Sequence, residues 1–172
     1  MSEDNFSKEI EEACFRVKSQ VALQNQQPLP ENRLLEAIVD SLRKEFGFLS
    51  VDIYLLDASG QSAICKAATS RQKTLMKRVG EDSLIGKVLQ RETSLMIDLE
   101  KDRDYELFRD PSQPKACLRF AVPIKFREKV IGAFDILSPN QTDKKADLFL
   151  YLEALASDIA VVCNGLTKAS SE

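Results

Sequence analysis

The side chains of this sequence that could carry chemistry are thiols and carboxylates: it contains four cysteines, 27 Asp and Glu residues, and no histidine. Without histidine the chain can form neither a Ser-His-Asp triad nor a Cys-His nucleophile, and a zinc site would need cysteines or carboxylates alone. No two cysteines are close enough in sequence for a CxxC metal or redox pair. These exclusions favour a binding module over an enzyme. The thiols are expected to be small packing residues, and they are Cys14, Cys65, Cys117 and Cys163.

The composition fits one folded domain with a helical extension in a chain of 172 residues. Hydrophobic residues make up 44% and charged residues 30%, enough for a packed core. The formal charge of −3 leaves no basic excess, so no nucleic-acid partner is expected. The first residues lack the features of a secretory signal, and apolar runs such as Leu148–Leu152 are far shorter than the ~20 residues of a membrane span. We therefore expect a cytoplasmic protein with no membrane partner.

Hydrophobic periodicity and turn residues divide the chain into helices and strands. Apolar residues at helical spacing predict helices over residues 5–25, 30–46, 84–91 and 142–164. Between them, β-rich runs bounded by turn residues predict strands over residues 50–56, 62–69, 94–99, 116–127 and 129–137. The charged segment 100–115 is long for a loop in a compact domain, and its Tyr105 and Phe108 favour a lid that packs on other residues.

The final helix has two apolar stripes, and both must be buried. One stripe alternates spacings of four and three, like a heptad seam. We predict that it pairs with the first helix in a homodimer, through Phe6, Ile10, Val17, Leu148, Leu152, Leu155, Ile159 and Val162. The alternative is that the first helix alone covers this stripe within one monomer.

Four segments in a fixed order resemble the signatures of one known family. They are Ser50–Asp57, Ser83–Leu89, Leu118–Ile124 and Val130–Ile136, and a closing helix over Leu152–Ala160 follows them. In this order and spacing they are similar to the successive strand and helix motifs of the GAF domain family.

The resemblance covers roughly residues 30–165 and sets the expected domain boundaries. Residues 1–29 would form an N-terminal dimerisation helix and linker, residues 30–166 the GAF domain, and residues 167–172 a disordered tail. The implied fold is α+β, with a central antiparallel sheet of five or six strands. The terminal helices would pack on one face, and the short helix and lid loop would enclose a small-molecule pocket on the other.

The resemblance also implies a function, because members of this family serve mostly as sensory or regulatory modules. We expect a non-enzymatic domain that binds an unknown small molecule, dimerises through its terminal helices, and signals to an output domain or to a protein in trans. The alternative is a ligand-free dimerisation or interaction scaffold of the same fold.

The known chemistries of the family do not match this sequence. Residues 138–146 lack the Asn-Lys-Phe-Asp-Glu signature of cyclic-nucleotide members, and the haem and bilin members generally need a histidine. Cys117 is also wrongly placed for a bilin anchor. Free methionine sulfoxide reductases of this fold need cysteines around the short helix, where residues 83–91 contain none. No cofactor and no metal are therefore expected.

The resemblance indicates which strand residues line the pocket. It implies that Leu118, Phe120, Val122 and Ile124 face the pocket, while Arg119 and Ala121 turn toward the helices. On the next strand Ile131, Ala133, Asp135 and Leu137 would share the pocket face. The full set of expected ligand-binding residues is Asp52, Tyr54, Leu84, Ile85, Tyr105, Phe108, Leu118, Phe120, Val122 and Asp135. The aromatic residues of the loop could close over a ligand or equally plug an empty pocket.

Two of these residues are acids, and the implied adjacency of the first and last strands would bring Asp52 and Asp135 together. Two carboxylates in an apolar cavity need cations or hydrogen-bond donors, unless one stays protonated. A ligand with an amine, a guanidinium or a nucleobase edge would supply them. The alternative is that the chain itself neutralises the acids, through Lys66, Arg103, Arg109 or Arg119, or that one of the two acids faces solvent. The acid pair alone is no signature of catalysis.

Overall fold

Among the residues that the structure describes, the sheet has six antiparallel strands. In the computed structural model they are β1 (Ser50–Leu56), β2 (Ser62–Ala68), β3 (Met76–Arg78), β4 (Leu95–Asp98), β5 (Leu118–Phe126) and β6 (Lys129–Ser138). Their order is β3-β2-β1-β6-β5-β4, so the first and last strands lie side by side at the centre. This confirms the predicted sheet. The sequence missed the short edge strand β3, which lies within the polar connection after β2.

The structure describes residues 8, 11–12, 15–20, 23, 31–69, 76–103, 108–139 and 145–169. Three of the predicted site and interface residues lie outside the described residues, namely Phe6, Ile10 and Tyr105.

In the part of the chain that the structure describes, four helices flank the sheet. The described residues between 8 and 23 are helical and are called α1, and the others are α2 (Glu31–Phe46), α3 (Leu84–Arg91) and α4 (Lys145–Ala169). The helix α4 runs past residue 164, where the sequence ended it, so residues 167–169 are helical rather than part of a disordered tail. Within the described residues, no helix is long and apolar enough to cross a membrane.

Each face of the sheet buries its own apolar cluster. On one face α2, α4 and Val17 of α1 pack on the sheet in a cluster that we call the helix-side core. On the other face α3 packs on β5 and β6 in a second cluster, which we call the α3-side core and which includes Phe108. The predicted arrangement, with terminal helices on one face and the short helix on the other, is confirmed.

The face assigned to β5 from the sequence was wrong. Phe120 and its neighbours two residues away, Leu118 and Val122, lie in the helix-side core, and the Phe120 ring lies 6.2 Å from the ring of Phe149 on α4. The reason is the register, because Ala121 pairs with Asp135 and directly opposite residues of an antiparallel pair share a face.

The same correction applies to Ile124 and Ile131, which also belong to the helix-side core. Ile124 follows the alternation of β5. Ile131 lies at a register shift, since Ile124 pairs with Gly132 while Lys125 pairs with Val130. A bulge of this kind sends an extra residue to the opposite face.

The predicted dimer seam is also corrected, because its residues are buried within one chain. Val17 and Ile159 are fully or almost fully buried in the helix-side core, and the same core contains Leu148, Leu152 and Leu155. Val162 is half-buried against it. Most of the described seam residues are therefore covered within one chain, and Val162 keeps some exposed surface.

The helix α1 covers α4 in a parallel arrangement. Lys18 Nζ lies 2.5 Å from Asp158 Oδ2, and the Tyr151 hydroxyl donates to Glu11 Oε1 at 2.9 Å. Both pairs join residues that are 140 positions apart, which fixes the helices side by side in the same direction. The alternative in which the first helix packs within one monomer is therefore the one that these contacts support.

The tight turn between β5 and β6 offers a test of the fold. Arg127 and Glu128 have φ of 49° and 65°, the left-handed region that non-glycine residues rarely adopt. We expect Glu128→Gly to raise the free energy of unfolding by about 1 kcal/mol, because glycine removes this strain. Urea denaturation would measure the change. Lys129→Gly is the matched control in the adjacent strand, where glycine should destabilise the fold, and equal effects of both variants would contradict the explanation.

Candidate functional site

A row of buried and half-buried polar side chains crosses the centre of the sheet on the α3 side. Asp52 of β1 and Asp135 of β6 are register partners and are only 4% and 8% exposed. Arg119 of β5 and Tyr54 of β1 complete the row. The sequence placed both acids on this face and expected them to be adjacent, and the structure brings them together.

The cation that neutralises Asp135 belongs to the chain. Arg119 Nε donates to Asp135 Oδ1 at 2.8 Å, and Arg119 Nη2 donates to Asp135 Oδ2 at 2.6 Å. This bidentate geometry is the strongest form of an Arg–carboxylate contact. Burial lowers the pKa of Arg119, but the attraction of Asp135 outweighs it and raises the pKa above its ordinary value, so the guanidinium stays charged. The sequence left open whether a ligand or the chain itself would neutralise the acids. For Asp135 the cation is Arg119 of the same chain.

The carboxylate of Asp52 is held at the end of the β1–β2 pairing. The backbone N–H of Thr69 donates to Asp52 Oδ1 at 3.3 Å, and the Thr69 hydroxyl donates to the carbonyl of Val51 at 3.2 Å. Asp52 is therefore anchored by the neighbouring strand rather than facing solvent.

Tyr54 lies next to both acids and is 2% exposed. Burial, followed by the nearby charge of Asp135, raises the pKa of its phenol far above the ordinary value. A phenol in this position remains protonated and can donate a hydrogen bond throughout the physiological range.

The raised pKa of Tyr54 gives a prediction for alkaline pH. The folded pKa lies above the unfolded one, so the stabilisation is complete below about pH 10 and is lost as the pH rises above that value. The free energy of unfolding should therefore fall more steeply above about pH 10 in the wild type than in Tyr54→Phe. Absorbance at the phenolate band, taken as wild type minus variant, should show no ionisation of Tyr54 while the protein is folded. A phenolate signal from folded Tyr54 near the ordinary pKa would contradict this.

The segment after β4 is tied to the site through Phe108. Arg119 Nη1 donates to the backbone carbonyl of Phe108, whose side chain is buried in the α3-side core. Lys87 of α3 lies over the Phe108 ring, with Nζ 5.4 Å from the ring centre. A further bond runs from Arg109 Nη2 to the carbonyl of Leu99. These contacts hold the ring of Phe108 in the α3-side core and its carbonyl on Arg119.

The helix α3 forms the cover of the site. Ser83 caps it by accepting a hydrogen bond from Gly86 N at 3.0 Å. Leu84 and Ile85, two of the expected ligand-binding residues, are buried in the α3-side core. Gly86 permits close packing on the preceding connection, since a Cβ there would lie 2.7 Å from the carbonyl oxygen of Arg78.

Sequence reasoning missed two features of this side of the molecule. Asp98 ends β4 with 6% exposure and accepts hydrogen bonds from the N–H groups of Glu100 and Lys101 at 3.2 and 3.1 Å. An Asp that precedes a charged turn is a signal for such a local bond. The role of Lys87 over Phe108 carried no comparable signal.

Three of the cysteines lie within the described residues, and none of these three forms a disulfide. Cys163 is buried, while Cys65 and Cys117 are half-buried. Burial raises the pKa of the Cys163 thiol to about 12, and burial followed by Glu100 raises the pKa of Cys117. Thiols with raised pKa values react slowly, because the thiolate is the nucleophile. Among the residues described, no group of three or more acids and cysteines is arranged to hold a metal ion.

Comparison with known proteins assigns the fold to a family. The model of the GAF domain family matches residues 30–163, and the chain belongs to this family. No curated protein matches the sequence.

Solved structures share the fold at low sequence identity. The GAF domain of a phosphoenolpyruvate-protein phosphotransferase from Acinetobacter aligns with 19% identity over 96% of this chain and 95% of that chain, with a TM-score of 0.69. The GAF domain of the same type of protein from Coxiella burnetii aligns with 14% identity over 96% and 99%, with a TM-score of 0.75. The free methionine-R-sulfoxide reductase of Neisseria meningitidis, solved with its substrate, aligns with 16% identity over 99% and 95%, with a TM-score of 0.74. The fold therefore occurs both in domains of larger proteins and in an enzyme.

Proposed function

We propose that this chain is a non-enzymatic regulatory GAF domain, cytoplasmic and dimeric, that binds a small molecule between α3 and the sheet. The observation that carries the proposal is the buried polar row. Arg119, Asp135, Tyr54 and Asp52 lie on one face under α3, where they offer donors and acceptors within apolar walls. This combination of an apolar lining and a few converging polar groups is typical of ligand sites.

The strands of the site also provide a route to the terminal helices. Arg119 faces the α3 side, while its neighbours Leu118 and Phe120 pack in the helix-side core with α4. A ligand that moves β5 would therefore shift the packing of α4. In the proposed function this shift is the output, read by a further domain or by a protein in trans.

The similarity in fold to the methionine sulfoxide reductase does not lead us to propose an enzymatic function for this chain. Residues 83–91, which include α3, contain no cysteine. The thiols of Cys117 and Cys163 have raised pKa values, which disfavours thiolate chemistry at neutral pH.

The proposed dimer uses a surface other than the predicted seam. Leu150 and Val161 are 63% and 64% exposed, and Ala154 and Ser157 between them are exposed as well. Their spacings of four, three and four form a second heptad stripe on the solvent side of α4. Phe15 of α1 is 71% exposed as well.

This interface is tested by charge insertion. We expect Leu150→Glu and Val161→Glu to weaken dimerisation at least about tenfold, because each would place a carboxylate in an apolar contact. Sedimentation equilibrium at micromolar concentration would measure the effect. Met76→Glu is the matched control, since Met76 is 58% exposed on the distant strand β3. A wild-type protein that sediments as a monomer would contradict the proposed dimer.

A second candidate, the ligand-free scaffold, is favoured by one observation. Phe108 already fills the α3-side core, and Arg119 already neutralises Asp135. A scaffold would need nothing further at this site.

Native mass spectrometry separates the two candidates. The protein purified from its own cells, or incubated with a small-molecule extract of them, should retain a compound. The same compound should be lost from the Arg119→Met/Asp135→Leu double variant. A wild-type protein that retains nothing from the extract would favour the scaffold.

A further inference from the structure

The contacts of Phe108 resemble those of a bound ligand. Its ring is buried in the α3-side core, which includes Leu84, Ile85 and Val88 of α3. Its carbonyl oxygen accepts a hydrogen bond from Arg119. Phe108 lies outside the sheet, and it places an apolar ring in the α3-side core and a neutral acceptor on Arg119. The apolar core and the Arg119 donor are the two features that define the site.

We infer that the small molecule of this site is a neutral compound that joins an apolar ring to a carbonyl-type acceptor, and that Phe108 competes with it as an intramolecular occupant. The inference rests on the proposed function. It differs from the donor-bearing ligand, with an amine, a guanidinium or a nucleobase edge, that was one of the two alternatives from the sequence, because the place of a ligand guanidinium is taken by Arg119 itself.

The charges of the site decide against a ligand carboxylate. The positive charge of Arg119 is already matched by both oxygens of Asp135, at 2.8 and 2.6 Å. A ligand carboxylate would be a second anion on the same guanidinium, close to Asp52 as well. A neutral amide or ketone oxygen makes the same hydrogen bond to Arg119 without this repulsion.

The competition by Phe108 follows from its burial. A ligand can enter the α3-side core only when the ring leaves. Its apparent affinity is therefore its intrinsic affinity multiplied by the fraction of molecules in which the ring has left the site. Shortening Phe108 removes the competing ring but keeps the backbone carbonyl that accepts from Arg119 Nη1. The vacated space is apolar, and the acceptor of a ligand would use one of the two guanidinium N–H groups that remain after the bonds to Asp135 and to this carbonyl. Such spaces bind small aromatic molecules readily.

Three matched probes separate the contributions of the ring, the acceptor and the charge. 3-Phenylpropanamide carries a ring and a neutral carbonyl, 3-phenylpropanoate has the same shape with a charge, and propylbenzene lacks the acceptor. Isothermal titration with Phe108→Ala should show the amide binding about tenfold more tightly than the other two. The amide should also bind this variant at least about tenfold more tightly than the wild type.

Two further variants serve as controls. Phe108→Leu removes less of the ring and should show an intermediate gain, which keeps the test open if the alanine variant does not fold. Phe149→Ala shortens an aromatic residue in the helix-side core and should leave the affinity for 3-phenylpropanamide at the wild-type value. In Phe108→Ala/Arg119→Met/Asp135→Leu the preference for the amide over propylbenzene should disappear.

The outcomes distinguish this inference from the proposed function. Tighter binding of 3-phenylpropanoate, or no gain on shortening Phe108, would overturn the inference. A charged compound recovered from cell extract and lost with the Arg119→Met/Asp135→Leu pair would keep the proposed function and overturn the neutral class. Conversely, an amide-selective Phe108→Ala variant with no compound recovered from cells would support the site chemistry and count against the regulatory function.

Discussion

Arg119→Met should lower the free energy of unfolding by about 3–5 kcal/mol, because it leaves the carboxylate of Asp135 buried without its cation. Asp135 is 8% exposed, and Arg119 supplies two hydrogen bonds to it. The variant also loses the bond to the carbonyl of Phe108, which ties the segment after β4 to the sheet.

The double variant Arg119→Met/Asp135→Leu tests whether Arg119 and Asp135 contribute to the free energy of unfolding as a coupled pair. Replacing both partners by apolar residues removes the unpaired charge, so its stability should return to within about 1–2 kcal/mol of the wild type. Denaturant unfolding of the wild type, both single variants and the double variant gives the coupling energy. If the two single losses simply add in the double variant, the pair is not coupled and its assigned role is wrong.

Gly132→Ala should be the most destabilising small substitution in the sheet, with a loss of about 3 kcal/mol or more. A Cβ at this position would lie 2.2 Å from the carbonyl oxygen of Tyr54 and 2.8 Å from Leu55 Cδ2. The backbone of β1 cannot move away without opening its pairing with β6, where Leu55 is the register partner of Gly132. The same strain would displace Tyr54 from the site.

The control for Gly132 is a glycine that has space around it. Gly60 lies in the β1–β2 turn with φ of 69°, and a Cβ there would meet nothing within 4 Å. Asparagine tolerates this conformation, so Gly60→Asn should change the stability by less than about 1 kcal/mol. Urea unfolding that finds equal losses for the two variants would show that the close approach of β1 to Gly132 is not the cause.

Much of the fold could be predicted from the sequence, because alternation, turn residues and helix caps are local patterns that determine strands, hairpins and helix starts. The alternation in β1 placed Asp52 and Tyr54 on the same face, and turn residues marked the hairpins. The capping residue Ser83 marked the start of α3. These are local signals, and the structure agrees with them.

The face of β5 could not be read locally. The segment Leu118–Ile124 is buried on both faces, so residues of either parity are mostly apolar and alternation does not choose between them. The pairing of Ala121 with Asp135 decides the question, and that pairing is a property of the sheet.

Contacts between elements that are far apart in the sequence could not be predicted from it either. A heptad stripe on α4 shows that Leu152 and Ile159 are covered, but it cannot show whether the cover is α1 of the same chain or a second subunit. The bond from Arg119 to the carbonyl of Phe108 joins β5 to a residue outside the sheet, and no periodicity in the sequence encodes it.

The central claim is that the small-molecule site lies on the α3 side of the sheet, and methyl NMR tests it most directly. The two apolar clusters supply reporters on opposite faces, with Ile85, Val88 and Ile97 in the α3-side core and Ile38 and Val51 in the helix-side core. On titration of the isotope-labelled full chain with 3-phenylpropanamide, the methyl signals of the α3-side core should shift first and furthest. Shifts that begin in the helix-side core, or no shift in either cluster at millimolar probe, would contradict the account.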